Sequence, residues 1–235
     1  MKSVKAKIYK KLIKHELRYN TKSLIRYKKN LNKNKNNEEE DKISRLEKLK
    51  IQINSIKNCE LKKNATNIVF GDGNPYSSIM IIGEGPGANE DKEGKPFVGR
   101  AGKLLDKMLE AIKLNRKNVY ISNVVNFRPP MNRRPTEEEI KRYLPFLNNH
   151  IEIINPKILL LLGSTALNAL IGDEVVISKA RGKWVNKKIG KANPMVIASF
   201  HPAFLMRQPD QKKYSWEDLK MIKKKIDELK IKLNA

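Results

Sequence analysis

The 235-residue chain carries 49 Lys+Arg against 25 Asp+Glu, a net charge of +24, with 40% hydrophobic residues and a single cysteine. That length suits one medium domain with an extension, and the lone Cys59 excludes an internal disulfide and fits a reducing compartment. No run of 18 apolar residues occurs, so the sequence predicts no membrane span.

Residues 1–50 hold 17 Lys+Arg and 6 Asp+Glu, so the positive excess continues well beyond the first helix-sized stretch. Such charge points to nucleic acid through counterion release, to an anionic membrane surface, or to a compositional bias toward lysine and asparagine. The opening "MKSVKAKIYKKLIKHELRYN" is basic but has no apolar core of a secretory leader. Residues 1–30 read as a basic amphipathic helix or helical hairpin, and "NLNKNKNNEEEDK" (30–42) as linker. The predicted organisation is a basic helical extension and linker over 1–41, then one domain over 42–235.

After "ISRLEKLKIQINSI", which resumes helical spacing, strands and helices alternate. "SIMIIG" is an apolar strand. "AGKLLDKMLEAIKL" places Leu104, Leu105, Met108, Leu109 and Ile112 on one helical face. "NVYISNVV" is a second strand. In "TEEEIKRYLPFLNNHIEII", Thr136 and Glu139 form a capping box, while Pro145 predicts a kink or break. "KILLLLG" and "MVIASF" are two further strands, separated by the short helix of "STALNALIG". A last helix is predicted with Ser215 as its cap. Strands separated by helices imply a parallel sheet covered on both faces, with ligands beyond the carboxyl ends of the strands.

Those ends carry "GEGPGANED", "SNVVNFRPP", "GSTAL" and "FHPAFLMRQP". The first matches neither a dinucleotide fingerprint nor a P-loop, and its acids would repel a pyrophosphate. Carboxylates there suit developing positive charge or an activated water. His201 follows a strand and can donate to an oxyanion; a structural histidine is the plainer reading. Asn123 offers a donor and an acceptor to a pyrimidine edge, or is a turn residue. Phe97 is core or a stacking surface. Leu205, Met206 and Arg207 are predicted to form an exposed apolar wedge beside a cation, suited to a DNA stack.

"GEGPGANEDKEGKPFVGRAGKLLDKML", "YISNVVNFRPPMNRRPTEEEI", "LLLLGSTALNALIG" and "SFHPAFLMRQP" resemble the type-4 uracil-DNA glycosylases, from about Ile56 to Leu229. The resemblance implies a three-layer α/β/α sandwich around a four-stranded parallel sheet, and hydrolysis of the N-glycosidic bond of uracil flipped out of DNA. It implies Glu84 for the attacking water and the sugar cation, and backbone groups around Gly83 and Gly85 against the base. Glu90 would exclude the thymine methyl and Phe97 would stack on uracil. Asn123 would read its edge, and His201 would donate to O2. Leu205 would plug the vacated stack. Ser164, at a helix N-terminus, and Arg128, Arg133, Arg134 and Arg207 would meet DNA.

The resemblance also implies a [4Fe-4S] cluster on four cysteines. Their positions here are Ile56, Cys59, Phe127 and Tyr143. One thiolate cannot hold a cubane, so the cluster is expected absent, no cofactor is expected, and a hydrophobic plug is expected in its place. Rival readings are a relative acting on other deaminated bases, a catalytically silent basic DNA-binding protein, and, more weakly, a nucleotide hydrolase. Expected partners are uracil-containing DNA and the enzymes that process abasic sites, with a monomer, no stable membrane association, and a bacterial cytoplasm; organellar import stays open.

Overall fold

The structure, a computed structural model, describes residues 41–233, so the predicted helix over 1–30 lies outside the described residues. The sheet lies wholly within the compact unit that begins at Arg45. Helix α1 runs through 41–54 and α2 through Glu60–Asn64. The sheet is built from β1 (Asp72–Gly73), β2 (Ile79–Gly83), β3 (Tyr120–Asn123), β4 (Ile158–Leu162), β5 (Trp184–Asn186) and β6 (Met195–Ser199). Between and after the strands lie α3 (Ala88–Glu93), α4 (Arg100–Glu110), α5 (Glu137–Ile154), α6 (Ser164–Leu170), α7 (Ile177–Ala180), α8 (Pro202–Arg207) and α9 (Lys212–Glu228).

The strand order is β1-β3-β2-β4-β6-β5. The four inner strands are parallel, as the apolar runs predict. The sheet as a whole is mixed, because the short edge strands β1 and β5 pair antiparallel with β3 and β6. A four-stranded sheet would leave both edges open; these edge strands cover them.

Side-chain alternation divides the inner strands between two cores. Met80, Ile82, Leu159, Leu161 and Val196 pack with Leu49 and Ile53 of α1 and Tyr143, Leu147 and Ile151 of α5. Ile79, Ile81, Leu160 and Ile197 pack with Leu105 and Leu109 of α4 and Leu219 and Ile222 of α9. Burying one such Leu or Ile fully contributes about 1.5–3 kcal/mol. The predicted face of α4 is thus turned inward.

Thr136 caps α5 in the predicted box with Glu139, and Asn155 ends it in the left-handed conformation at φ 50°. Pro145 does not break this helix, which is continuous across it. Ser215 is not a cap: α9 begins at Lys212, and Ser215 is buried within it, bonded to Ser199 at 3.3 Å. Asp218, also buried on α9, accepts from Ser199 Oγ at 2.7 Å and pairs with Arg181 at 3.0 Å. The strand end that carries His201 is therefore tied to α9.

Chain order runs outward from β2 to β3 on one side, and from β4 to β6 on the other. The crevice between β2 and β4 is the topological switch point, where ligands of such sheets bind.

Candidate active site

At the ends of the inner strands, the register sets Gly83 beside Asn123. A Cβ on Gly83 would lie 2.5 Å from Phe97 Cζ and 2.6 Å from Asn123 Oδ1. Gly83 thus makes room for the two groups. The cavity, about 180 Å³, is walled by Glu84, Gly85, Glu90, Phe97, Asn123 and His201 among others.

Phe97 is buried and held at φ +54°, an uncommon conformation for a bulky residue. Three anchors hold it. Helix α4 approaches its backbone so closely that any side chain at Gly102 would collide with it. Arg116 donates to the carbonyls of Pro96, at 3.1 Å, and Phe97, while pairing with Asp72 at 2.6 Å and Asp106 at 3.0 Å. Glu90 accepts from the amides of Val98 at 2.9 Å, Gly99 at 2.8 Å and Gly87 at 3.2 Å. The Glu90 carboxylate thus faces backbone amides and clasps the glycine-rich loop to the Phe97 segment; from there it also lines the cavity.

Asn123 is 3% exposed, yet none of the side-chain hydrogen bonds among the described residues uses its amide, which borders the cavity. His201 is the N-cap of α8, its Nδ1 accepting from the Ala203 amide at 3.2 Å. Burial, helped by the positive Arg207 and opposed by Glu90, pushes its pKa down to about 4. The ring is therefore neutral near pH 7, and with Nδ1 accepting, its proton sits on Nε2. The Phe97 and His201 rings stack with centroids 5.5 Å apart.

Glu84 bridges the switch point. Its Oε2 accepts from Thr165 Oγ1 on α6 and lies 3.9 Å from Arg134 Nε. Thr165 and Arg116 are the two positioning groups that sequence reasoning missed. Thr165 adjoins Ser164, which the sequence does single out, whereas Arg116, in a charged turn, gives no local signal.

A second cavity, about 540 Å³, shares Glu84, Asn132, His201 and Ala203 with the first and adds Ser164, Arg134, Phe200, Phe204 and Arg207. Of the residues expected to meet DNA, Ser164, Arg134 and Arg207 converge there. Arg133 is committed elsewhere, forked onto Glu139 at 2.8 and 2.7 Å. Arg128 donates to Asn132 Oδ1 at 2.8 Å and lines neither cavity. Leu205 is not exposed: it is 1% accessible. It lies three positions after Pro202, so both face inward on α8, which packs on α4, and Met206 takes the outer side at 39%.

The family profile described as the uracil DNA glycosylase superfamily matches residues 70–222, which contain every residue of both cavities. The chain belongs to that superfamily. It is 44% identical over 183 residues to a type-4 uracil-DNA glycosylase of Sulfurisphaera tokodaii, covering 76% of this chain and 83% of that protein. Against type-4 uracil-DNA glycosylases of Thermotoga maritima and Archaeoglobus fulgidus, identity is 49% over 150 residues and 39% over 175. These alignments cover 63% and 73% of this chain, and 77% and 88% of the relatives.

The residues at the four cluster positions do not fit an iron–sulfur group. Cys59, Phe127 and Tyr143 are 4%, 3% and 0% exposed within one apolar core, with Ile56 packed against it. Cys59 Sγ and Tyr143 Oη share a hydrogen bond at 3.4 Å. Burial, reinforced by that bond, raises the Tyr143 pKa further, so the phenol stays protonated. One thiol, a phenol and two hydrocarbon side chains supply no cubane ligand set.

Proposed function

We propose that the smaller cavity holds the flipped uracil and the larger one the sugar–phosphate beside it. The chain is a uracil-DNA glycosylase, a hydrolase of N-glycosyl bonds that serves base excision repair. As the bond from C1′ to N1 breaks, its electron pair leaves with the base and the sugar becomes cationic. His201 Nε2–H donates to O2 of the departing anion, and Asn123 reads the base edge against the Phe97 face. Glu84, oriented by Thr165, faces the sugar cation and takes the proton of the water that attacks C1′. Ser164, Arg134 and Arg207 hold the backbone.

The observation that carries this reading is the meeting, on one cavity, of a carboxylate with a neutral imidazole whose proton is fixed on Nε2. A silent DNA-binding protein would have no use for that pair. No lysine lines either cavity, so no Schiff base with the sugar is expected and the product is an intact abasic strand, to be passed to abasic-site repair enzymes. The work is done without the [4Fe-4S] cluster, whose place is a packed apolar corner, and in the cytoplasm. Labelled oligonucleotides containing uracil, thymine or hypoxanthine test the reading. Uracil strands alone should break, and only after alkali; breakage without alkali, or none on uracil, would refute it.

A further inference from the structure

Met131 is the most exposed of the large apolar side chains among the described residues, at 94%, ahead of Ile51 at 65%. It stands at the tip of the loop between β3 and α5. Its neighbours Pro129, Asn132 and Arg133 line the uracil cavity, and Asn132 and Arg134 line the second one. An unshielded methionine at the rim of both cavities does nothing for folding.

The loop is built to hold it there. Met131 and Asn132 are both left-handed, at φ 54° and 55°. Asn tolerates that conformation, but methionine is strained in it, by roughly 1–2 kcal/mol. A slack loop would relax. This one is fixed from several sides: the Asn132 amide donates to Pro129 O at 3.1 Å and the Arg133 amide to Pro130 O at 3.1 Å. Arg128 holds the Asn132 side chain at 2.8 Å, and Arg133 is forked onto Glu139. The strained tip is thus a rigid, outward-pointing apolar prong with Arg128, Arg133 and Arg134 around its base.

A prong of this kind suits one surface above others, a polyanion with an apolar interior. We infer that Met131 enters the base stack of duplex DNA beside the flipped nucleotide, while Arg134, whose side chain is exposed, faces the phosphates. Methionine is unbranched and polarizable, so it can slide between base faces. The inference rests on the uracil-excision reading, and it assigns to this loop the wedging that buried Leu205 cannot perform as it stands.

The test compares single-turnover uracil excision by the full chain on single-stranded, U·G and U·A oligonucleotides. Met131→Asn keeps a residue at ease in the left-handed conformation but removes the apolar tip, and Met131→Leu restores an apolar one. The single strand, which has no duplex to open, is the internal reference. For Met131→Asn the duplex to single-strand rate ratio should fall about tenfold, more for the fully paired U·A than for U·G, with most of it regained in Met131→Leu. Fluorescence of 2-aminopurine next to the uracil should report less unstacking with the Asn variant. An unchanged ratio, or equal losses on both substrates, would overturn the wedge. No excision of uracil from any substrate by the unsubstituted protein would instead overturn the reading on which it rests.

Discussion

At the strand-end cavity Glu84, His201 and Phe97 have imposed directions, whereas at the corner of Ile56, Cys59, Phe127 and Tyr143 the groups mainly fill space. Glu84 is pinned by Thr165, His201 by the Ala203 amide, and Phe97 by Arg116 and Glu90. The corner has a single polar contact, Cys59 with Tyr143, within an apolar core. Chemistry needs atoms at stated positions. A brace between α5 and the chain before β1 needs volume without voids, which hydrocarbon supplies as well as a metal cluster can.

The largest expected effects fall on the cavity. Glu84→Gln and His201→Ala should each lower the single-turnover rate by about 10²–10⁴ with little change in DNA affinity, since both act on charge present mainly in the transition state. A loss confined to affinity would erase the distinction between the two regions. At the corner the sign is reversed: Phe127→Ala should destabilise the fold by about 3–5 kcal/mol in urea titrations, yet leave the rate of the molecules still folded near normal. A rate loss with full stability would make the corner part of the site.

A smaller effect is expected of the histidines. Burial pushes His150 to about 3 and His201 to about 4, below the usual value near 6.5. Between those limits the unfolded chain binds protons that the fold refuses. The stabilisation is therefore complete above pH 6.5 and is lost as pH falls toward 4, at up to about 1.4 kcal/mol per pH unit for each histidine. Urea midpoints at pH 7 and 5 check this, and equal midpoints would contradict it. The smallest effect is that of exposed Arg134, 3.9 Å from Glu84. Arg134→Ala should flatten the salt dependence of DNA binding by about one phosphate contact, a slope change near 0.9, without altering the melting temperature.

The inner strands were legible because "IMIIG", "ILLLL" and "MVIAS" are apolar runs bounded by turn residues, and the capping box of α5 is local. The edge strands were not, since two- and three-residue strands carry no period. Glu84, Asn123 and His201 stood out as polar residues at strand ends. What could not be read locally was decided at long range. Leu205 turns inward because α8 packs on α4. Phe97 is forced left-handed by Gly102 and Arg116. Arg133 is taken by Glu139. Each outcome depends on a partner several residues or a whole element away.

The contrast between a directed site and a filled corner is tested most directly by measuring iron and uracil excision on one preparation, purified without oxygen and supplied with iron and sulfide. The expected result is colourless protein with no bound iron and a single-turnover rate that neither iron nor a chelator changes. Stoichiometric iron in coloured protein, or a rate that follows the iron content, would contradict it.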